Sequence, residues 1–176
     1  MTGQRIVLLR HAEKAQPDDH IQGVDARGRP DENELSVRGW QRAGALAHFF
    51  APGGGDLGVP DALFAGPPTA AHPSRRSVST LEPLAQRLGR PLELSFQRGQ
   101  EAELADALAR RDGLVLVAWD HRGLNRIAQA LMGDSPATPQ PWPQDCFDRF
   151  WIFTREGTRW QFVQRPQRLL AGDAYK

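Results

Sequence analysis

Apolar positions along this chain fall into short unbroken runs that alternate with stretches of helical spacing. Ile6-Val7-Leu8-Leu9 and Leu114-Val115-Leu116-Val117-Ala118 contain no polar residue, which is the pattern of strands buried on both faces. They predict a first strand over residues 5–9 and a later one over 114–118. Asp61-Ala62-Leu63-Phe64-Ala65 reads as a second strand closed by Gly66-Pro67-Pro68, and Pro91-Leu92-Glu93-Leu94 as a short third. Helical spacing appears between them. Ser36 suits an N-cap for a helix reaching about Phe50. Ser74 suits the cap of the next, whose stripe is Leu81, Leu84, Ala85 and Leu88. Pro83 falls inside that stripe, so a kink or restart is expected there. Residues 101–110 form a helix with Leu104, Ala105 and Leu108 inward, and Leu124, Ile127, Ala128 and Leu131 mark another. Residues 149–154 and 159–163 flank Arg155-Glu156-Gly157-Thr158, a hairpin by its turn chemistry. Strands alternating with helices and ending in a hairpin predict an α/β fold: a three-layer α/β/α sandwich around a mostly parallel sheet. With 176 residues, a single domain spanning 1–176 is expected. Residues 15–35 and the Pro-rich 133–146 lack periodicity and read as long loops, a common place for function.

The chemistry concentrates where the two apolar strands end. The first runs into Arg10-His11-Ala12-Glu13-Lys14, the second into Trp119-Asp120-His121. The C-terminal ends of parallel strands face the ligand crevice of an α/β sheet. Arginine offers a planar, permanently charged fork that matches phosphate oxygens. Histidine offers a ring nitrogen able to attack phosphorus or carry a proton. His121 also sits at a strand-to-helix junction, where backbone N–H groups favour an anion. Gly53-Gly54-Gly55 lacks the Gly-Lys-Ser/Thr ending of a phosphate-binding loop and reads as a turn.

Four ordered motifs resemble the histidine phosphatase superfamily, the phosphoglycerate-mutase-like fold. Arg10-His11-Ala12 is similar to its Arg-His-Gly motif, with Ala in place of Gly. Leu35-Ser36-Val37-Arg38-Gly39-Trp40-Gln41-Arg42-Ala43 is similar to its helix start. Ser74-Arg75-Arg76-Ser77-Val78-Ser79-Thr80 is similar to its Ser-x-Arg-x-x-x-Thr, and the tail Gln167-Arg168-Leu169-Leu170-Ala171-Gly172-Asp173 looks like that of small bacterial members. The resemblance implies a metal-independent phosphatase for phosphomonoesters or phosphohistidine. Its nucleophile is His11, with Arg10, Arg76 and His121 around the phosphate. It implies no cofactor and no metal. A general acid is also implied: Glu101 leads, with Glu103, Asp120 and Glu13 as the other choices. Strand alternation would turn Asp120 away from the His121 side, and Glu13 would more commonly pair with an arginine. A phosphoglycerate-mutase-like phosphotransferase and a non-catalytic phosphate- or phosphopeptide-binding module remain alternatives.

Composition narrows the partners. The 22 basic and 21 acidic residues nearly balance, which argues against a general nucleic-acid or anionic-membrane binder. A small phosphorylated substrate or a phosphoprotein fits better. Arginine far outnumbers lysine, in keeping with a GC-rich bacterial genome. No apolar run approaches the length of a membrane span, and the run at 6–9 is too short for a signal-peptide core. Cys146 is the only cysteine, so no internal disulfide can form. These features point to a cytoplasmic protein. Cys146 reads as a small, partly buried apolar residue, and Trp40 as helix-to-sheet packing. His20 and His48 read as solvated, whereas His72, just before Ser74 and Arg76, is placed to rim the pocket. Trp119 suits either core or pocket wall. Arg75 reads as a surface neighbour, Arg122 as a contact for a distal anionic group, and Arg126 as a salt-bridge partner.

Overall fold

The computed structural model describes residues 3–174. Its elements, in chain order, are β1 (Arg5–Arg10), α1 (Val37–Phe49), β2 (Ala62–Ala65), α2 (Arg76–Leu88), β3 (Leu92–Glu93), α3 (Glu101–Ala109), β4 (Leu114–Trp119), α4 (His121–Met132), β5 (Arg149–Glu156) and β6 (Arg159–Pro166). They form one sheet in the order β3-β2-β4-β1-β5-β6. The pairings β1–β4, β2–β3 and β2–β4 are parallel. β5 runs antiparallel to β1, and β6 to β5. This is the expected α/β architecture, with the hairpin completing one edge.

The apolar runs lie at the centre of the sheet because both faces are covered. Ile6 and Leu8 point into a core shared with Leu104 and Leu108 of α3 and Leu124 and Ile127 of α4. Val7 and Leu9 point the other way, against Leu46 of α1 and Leu81 and Leu84 of α2. Successive strand residues alternate faces, so an unbroken apolar run is what a strand between two helical layers requires.

Several boundaries depart from expectation. The N-cap of α2 is Arg75, not Ser74, whose Oγ instead accepts from the Arg76 N–H at 3.5 Å. α2 also runs through Pro83 without restarting. Leu81, Leu84 and Ala85 anchor it on the sheet, and this packing outweighs the loss of one helical hydrogen bond. The hairpin strands are longer than expected and leave only Gly157-Thr158 between them. Gly157 takes φ 59°, a conformation glycine adopts without steric cost. Residues 15–35 contain one short 3₁₀ turn, Pro17–Asp19, and isolated bridges that tie Lys14 to Leu35 and Gly23 to Ser36.

The segment that follows β1 is clamped from three sides. Thr80 of α2 accepts from the Ala12 N–H at 2.9 Å and donates to the Arg76 carbonyl at 2.6 Å. Ser36 donates to the Glu13 carbonyl through both N–H and Oγ, and its Oγ caps α1 by accepting from the Gly39 N–H. The Glu13 carboxylate is gripped by Arg42, which is 1% exposed. Arg42 Nη2 lies 2.7 Å from both Glu13 Oε1 and Asp173 Oδ1, while its Nη1 donates to Gln167 and Asp173. Burial opposes the charge on Arg42, but the bonds to Asp173 and Glu13 prevail and hold its pKa above the ordinary value. The C-terminal tail is thus fastened to the segment after β1 by a desolvated ion network, and Glu13 pairs with arginine as its sequence setting suggested.

Gly39 is where α1 approaches that loop most closely. A Cβ at Gly39 would lie 2.3 Å from the Glu13 carbonyl oxygen, and backbone on both sides cannot retreat. Gly39→Ala is therefore expected to destabilise the fold by about 1–3 kcal/mol, measured by urea denaturation. Stability equal to that of the parent would show that this approach is not tight.

Candidate active site

The C-terminal ends of β1, β2 and β4 open onto a cavity of about 230 Å³. His11, Arg76, Ser77, Trp119 and Asp120 line it, together with Asn33, Gly66, Pro67 and the residues from Ala71 to Ser74; Arg98 completes the wall. The His11 backbone N–H continues the sheet by donating to the Trp119 carbonyl at 3.0 Å, so the nucleophile candidate sits at a rigid strand end. His11 is 6% exposed.

His11 Nδ1 lies 2.8 Å from the Ala12 carbonyl oxygen. A carbonyl only accepts, so Nδ1 carries the proton and Nε2 holds the lone pair. The surroundings enforce this state. Burial comes first, and repulsion from the Arg10 and Arg76 guanidiniums adds to it. Together they outweigh the Ala12 bond and the attraction of Asp120, bringing the His11 pKa down to about 3. The imidazole is therefore neutral at physiological pH, with a nitrogen available to an electrophile.

Arg10, beside it, is also buried, and burial lowers its pKa to about 10, which leaves it cationic. One nitrogen donates to the Gln144 carbonyl, and the guanidinium lies over the Phe147 ring with 4.0 Å to the centroid. The Pro-rich loop of residues 133–148 thus folds back to hold Arg10. Trp142 anchors that loop on Trp151, with 4.7 Å between ring centroids, and donates to the Cys146 carbonyl. Arg76, the first residue of α2, donates to the Glu32 carbonyl at 2.6 Å. The Nε groups of both Arg10 and Arg76 are buried with no partner among the described residues. Such donors are costly to leave unpaired in a purely structural role and suit an anion.

His121 opens α4 and is half-buried. Burial and the nearby Arg10 charge lower its pKa. Neither His121 nor Arg10, both expected to contact the phosphate, lines the cavity itself; Arg10 acts on His11 through its charge.

The carboxylates fall out differently from the sequence expectation. Glu101, the leading candidate acid, is 2% exposed and is not among the cavity-lining residues. It accepts from the Gly99 N–H and from Trp119 Nε1 at 3.2 Å, and Arg126 approaches to 3.6 Å. It thereby fixes the Trp119 ring that walls the cavity. Gly123 leaves room for that ring, since a Cβ there would lie 2.1 Å from Trp119 Cδ1. Arg126 is the salt-bridge residue anticipated. Glu103 is exposed on α3. Asp120, by contrast, faces the cavity, because β4 ends at Trp119 and Asp120 turns in as the N-cap of α4. Burial raises its pKa, but hydrogen bonds from the Gly123 N–H, the Arg122 N–H and Arg98 more than compensate, and the net shift is downward.

Arg98 and Asn33 carry no motif. Arg98 lies beyond the two-residue β3, at the ligand-facing end of the sheet, and donates through Nε to Asp120 at 3.2 Å. Asn33 comes from the 15–35 loop, which Glu34 pins to α2 by accepting from Arg75 and Ser79. Arg75 is therefore a structural tie rather than a bare surface neighbour. Among the described residues, no three His, Cys, Asp or Glu side chains come together as a metal-binding set. No helix among them is long and apolar enough to cross a membrane.

No family model matches the sequence, and no curated protein sequence does either. Solved structures do match in fold. The protein histidine phosphatase SixA complexed with tungstate superposes with a TM-score of 0.57 at 18% identity, covering 93% of this chain and 97% of that one. A mycobacterial glucosyl-3-phosphoglycerate phosphatase with inorganic phosphate gives 0.57 at 16% identity over 91% and 95% of the two chains. A phosphoserine phosphatase variant from Entamoeba histolytica, bound to phosphoserine, gives 0.61 at 11% identity over 94% and 98%. The chain has the fold that these phosphatases share, across nearly its whole length.

The ionisation of His11 gives a stability signature. An unfolded histidine takes up a proton below about pH 6.5, whereas folded His11 does so only near pH 3. Between those values the unfolded state binds more protons, so stability must fall as the pH falls. Replacing His11 by Gln removes this contribution. The stability difference between the two proteins is expected to move in favour of the variant from pH 6.5 downward, with a slope approaching about 1.4 kcal/mol per pH unit. Parallel curves, measured by denaturant titration at each pH, would mean that His11 titrates normally.

Proposed function

We propose that the chain is a member of the histidine phosphatase superfamily and hydrolyses phosphate monoesters or phosphohistidine through a phosphohistidine intermediate on His11. The observation that carries this reading is the state of His11. Its ring is held neutral, with Nδ1 committed to a backbone carbonyl and Nε2 left for attack, beside the buried Arg10 and the half-buried Arg76. In the first step Nε2 attacks phosphorus, the P–N bond forms, and the bond to the leaving group breaks. In the second, a water oxygen bonds to phosphorus and the P–N electron pair returns to Nε2. Arg76, which lines the cavity, would offer its unpartnered Nε donor to the non-bridging oxygens, and Arg10, whose Nε is also unpartnered but which does not line the cavity, would act on them through its charge. These fixed charges stabilise the charge spread over those oxygens in the transition state.

The likeness of fold to phosphatases that carry tungstate, phosphate or phosphoserine supports the substrate class. The cavity of about 230 Å³ favours a small phosphorylated compound or a phosphorylated side chain presented by a protein. Residues 1–176 are read as one domain. The single cysteine supports a cytoplasmic setting, and the excess of arginine over lysine a bacterial one.

The test is hydrolysis of p-nitrophenyl phosphate by the parent protein, His11→Ala and Arg76→Ala, with and without chelator. Turnover is expected to survive the chelator and to be abolished in His11→Ala. Arg76→Ala should lower kcat by about 10²-fold or more, the usual cost of removing a transition-state donor. Undiminished activity in His11→Ala would overturn the assignment.

A further inference from the structure

The cavity that holds His11 and Arg76 also holds a group that no motif announces. His72 lies on the loop between β2 and α2. Its backbone is fixed there by reciprocal bonds with Thr69: the Thr69 N–H donates to the His72 carbonyl at 2.9 Å, and the His72 N–H donates to the Thr69 carbonyl at 3.1 Å. The Thr69 hydroxyl also accepts from the His72 N–H. The ring lines the same cavity as His11. Its Nδ1 sits 3.3 Å from Arg98 Nη1. A guanidinium can only donate, so Nδ1 is the acceptor and the proton resides on Nε2. Arg98 is itself anchored, with its Nε bonded to Asp120 Oδ2 at 3.2 Å. Asp120 is fixed in turn by the Arg122 and Gly123 N–H groups at the start of α4. The order is carboxylate, guanidinium, imidazole, with a single N–H at the end. A cation donating to Nδ1 withdraws electron density from the ring and makes Nε2–H a stronger donor.

The carboxylates are poorly placed for the leaving group. Glu101 is occupied behind Trp119. Glu13 is held by Arg42, and Asp120 is kept ionised by the donors around it. Phosphate between His11 and Arg76 would leave the remaining wall to His72, Arg98, Asp120, Asn33 and Pro67. Resting on the phosphatase reading above, we propose that His72, with its tautomer set by Arg98, donates a hydrogen bond from Nε2 to the leaving-group oxygen as the P–O bond breaks. His72 is then a catalytic residue and Arg98 a positioning residue. The contribution is a hydrogen bond that strengthens as negative charge develops on that oxygen, and no proton need be transferred. The charged groups that line the cavity with this exposed ring are Arg98, Asp120 and Arg76, and among the described residues only Arg98 bonds to it, at Nδ1.

The role is read from leaving-group dependence. kcat/KM is measured on p-nitrophenyl phosphate, phenyl phosphate and ethyl phosphate, whose leaving groups become progressively poorer. His72→Ala is expected to lose less than about threefold on the first and about tenfold or more on the last, the scale of one transition-state donor in a partly open site. His72→Gln places an amide N–H near the position of Nε2 and should recover part of the loss. Arg98→Gln should steepen the dependence in the same direction. An equal loss on all three substrates, or none, would overturn the proposal. A ¹⁵N spectrum showing the His72 proton on Nδ1 would also overturn it, and that readout does not depend on activity. Failure of the parent protein on every substrate would defeat the phosphatase reading, and this inference with it. Hydrolysis of p-nitrophenyl phosphate by the parent, without selective loss in His72→Ala, defeats only the inference.

Discussion

The bond from His11 Nδ1 to the Ala12 carbonyl is the interaction on which the site depends. It assigns the ring proton, and through that assignment it decides which nitrogen can act. Such a bond specifies a tautomer only if the backbone making it is fixed. Thr80 holds the Ala12 N–H, Ser36 holds the Glu13 carbonyl, and Arg42 holds the Glu13 side chain. Each of these three comes from a helix or helix cap packed on the same face of the sheet. The loop that carries His11 is therefore a product of the packing that forms the core, and its geometry is shared with the stability of α1 and α2.

Electrostatics then sorts the charged groups into two kinds. One kind is paired internally and does structural work: Arg42 with Glu13 and Asp173, Arg75 with Glu34, and Glu101 with Trp119 and Arg126. The other kind retains buried donors that no group among the described residues satisfies, namely Nε of Arg10 and Nε of Arg76. Burying a cationic donor without a partner is unfavourable, and beside one neutral imidazole it occurs at Nε of the buried Arg10 and at Nε of the half-buried Arg76. An oxyanion bound beside His11 would meet the Arg76 guanidinium in the cavity and the charge of Arg10 next to it. Desolvation, which lowers the pKa of His11 and of Arg10, also makes these donors stronger toward such a charge.

Much of this was legible in the chain. The all-apolar runs fixed the central strands, because only burial on both faces removes alternation. His11 and His121 stood out because the strand-end position carries a physical consequence. Ser36, Gly39, Arg42 and Thr80 recur in the motifs, and the structure explains each by a contact with residues 12 or 13. Glu101 was misjudged because a carboxylate at the start of α3 looks the same in sequence whether it faces ligand or supports a tryptophan. Only the orientation of Trp119, set by Gly123 and Gly66, decides between these. Asp120 was misjudged for a related reason: strand alternation stops at Trp119, where the helix cap begins. Arg98 had no signal beyond its place after a strand of two residues, too short to be read with certainty from apolar content.

The central claim is that phosphorus becomes bonded to His11 Nε2. Rapid mixing with p-nitrophenyl phosphate, followed by an alkaline quench and peptide mapping by mass spectrometry, tests it directly. The expected result is an acid-labile, alkali-stable phosphoryl group on the peptide containing His11, formed before steady-state turnover and absent in His11→Ala. Turnover with no phosphorylated protein at any quench time, or a phosphoryl group on another residue, would contradict the account.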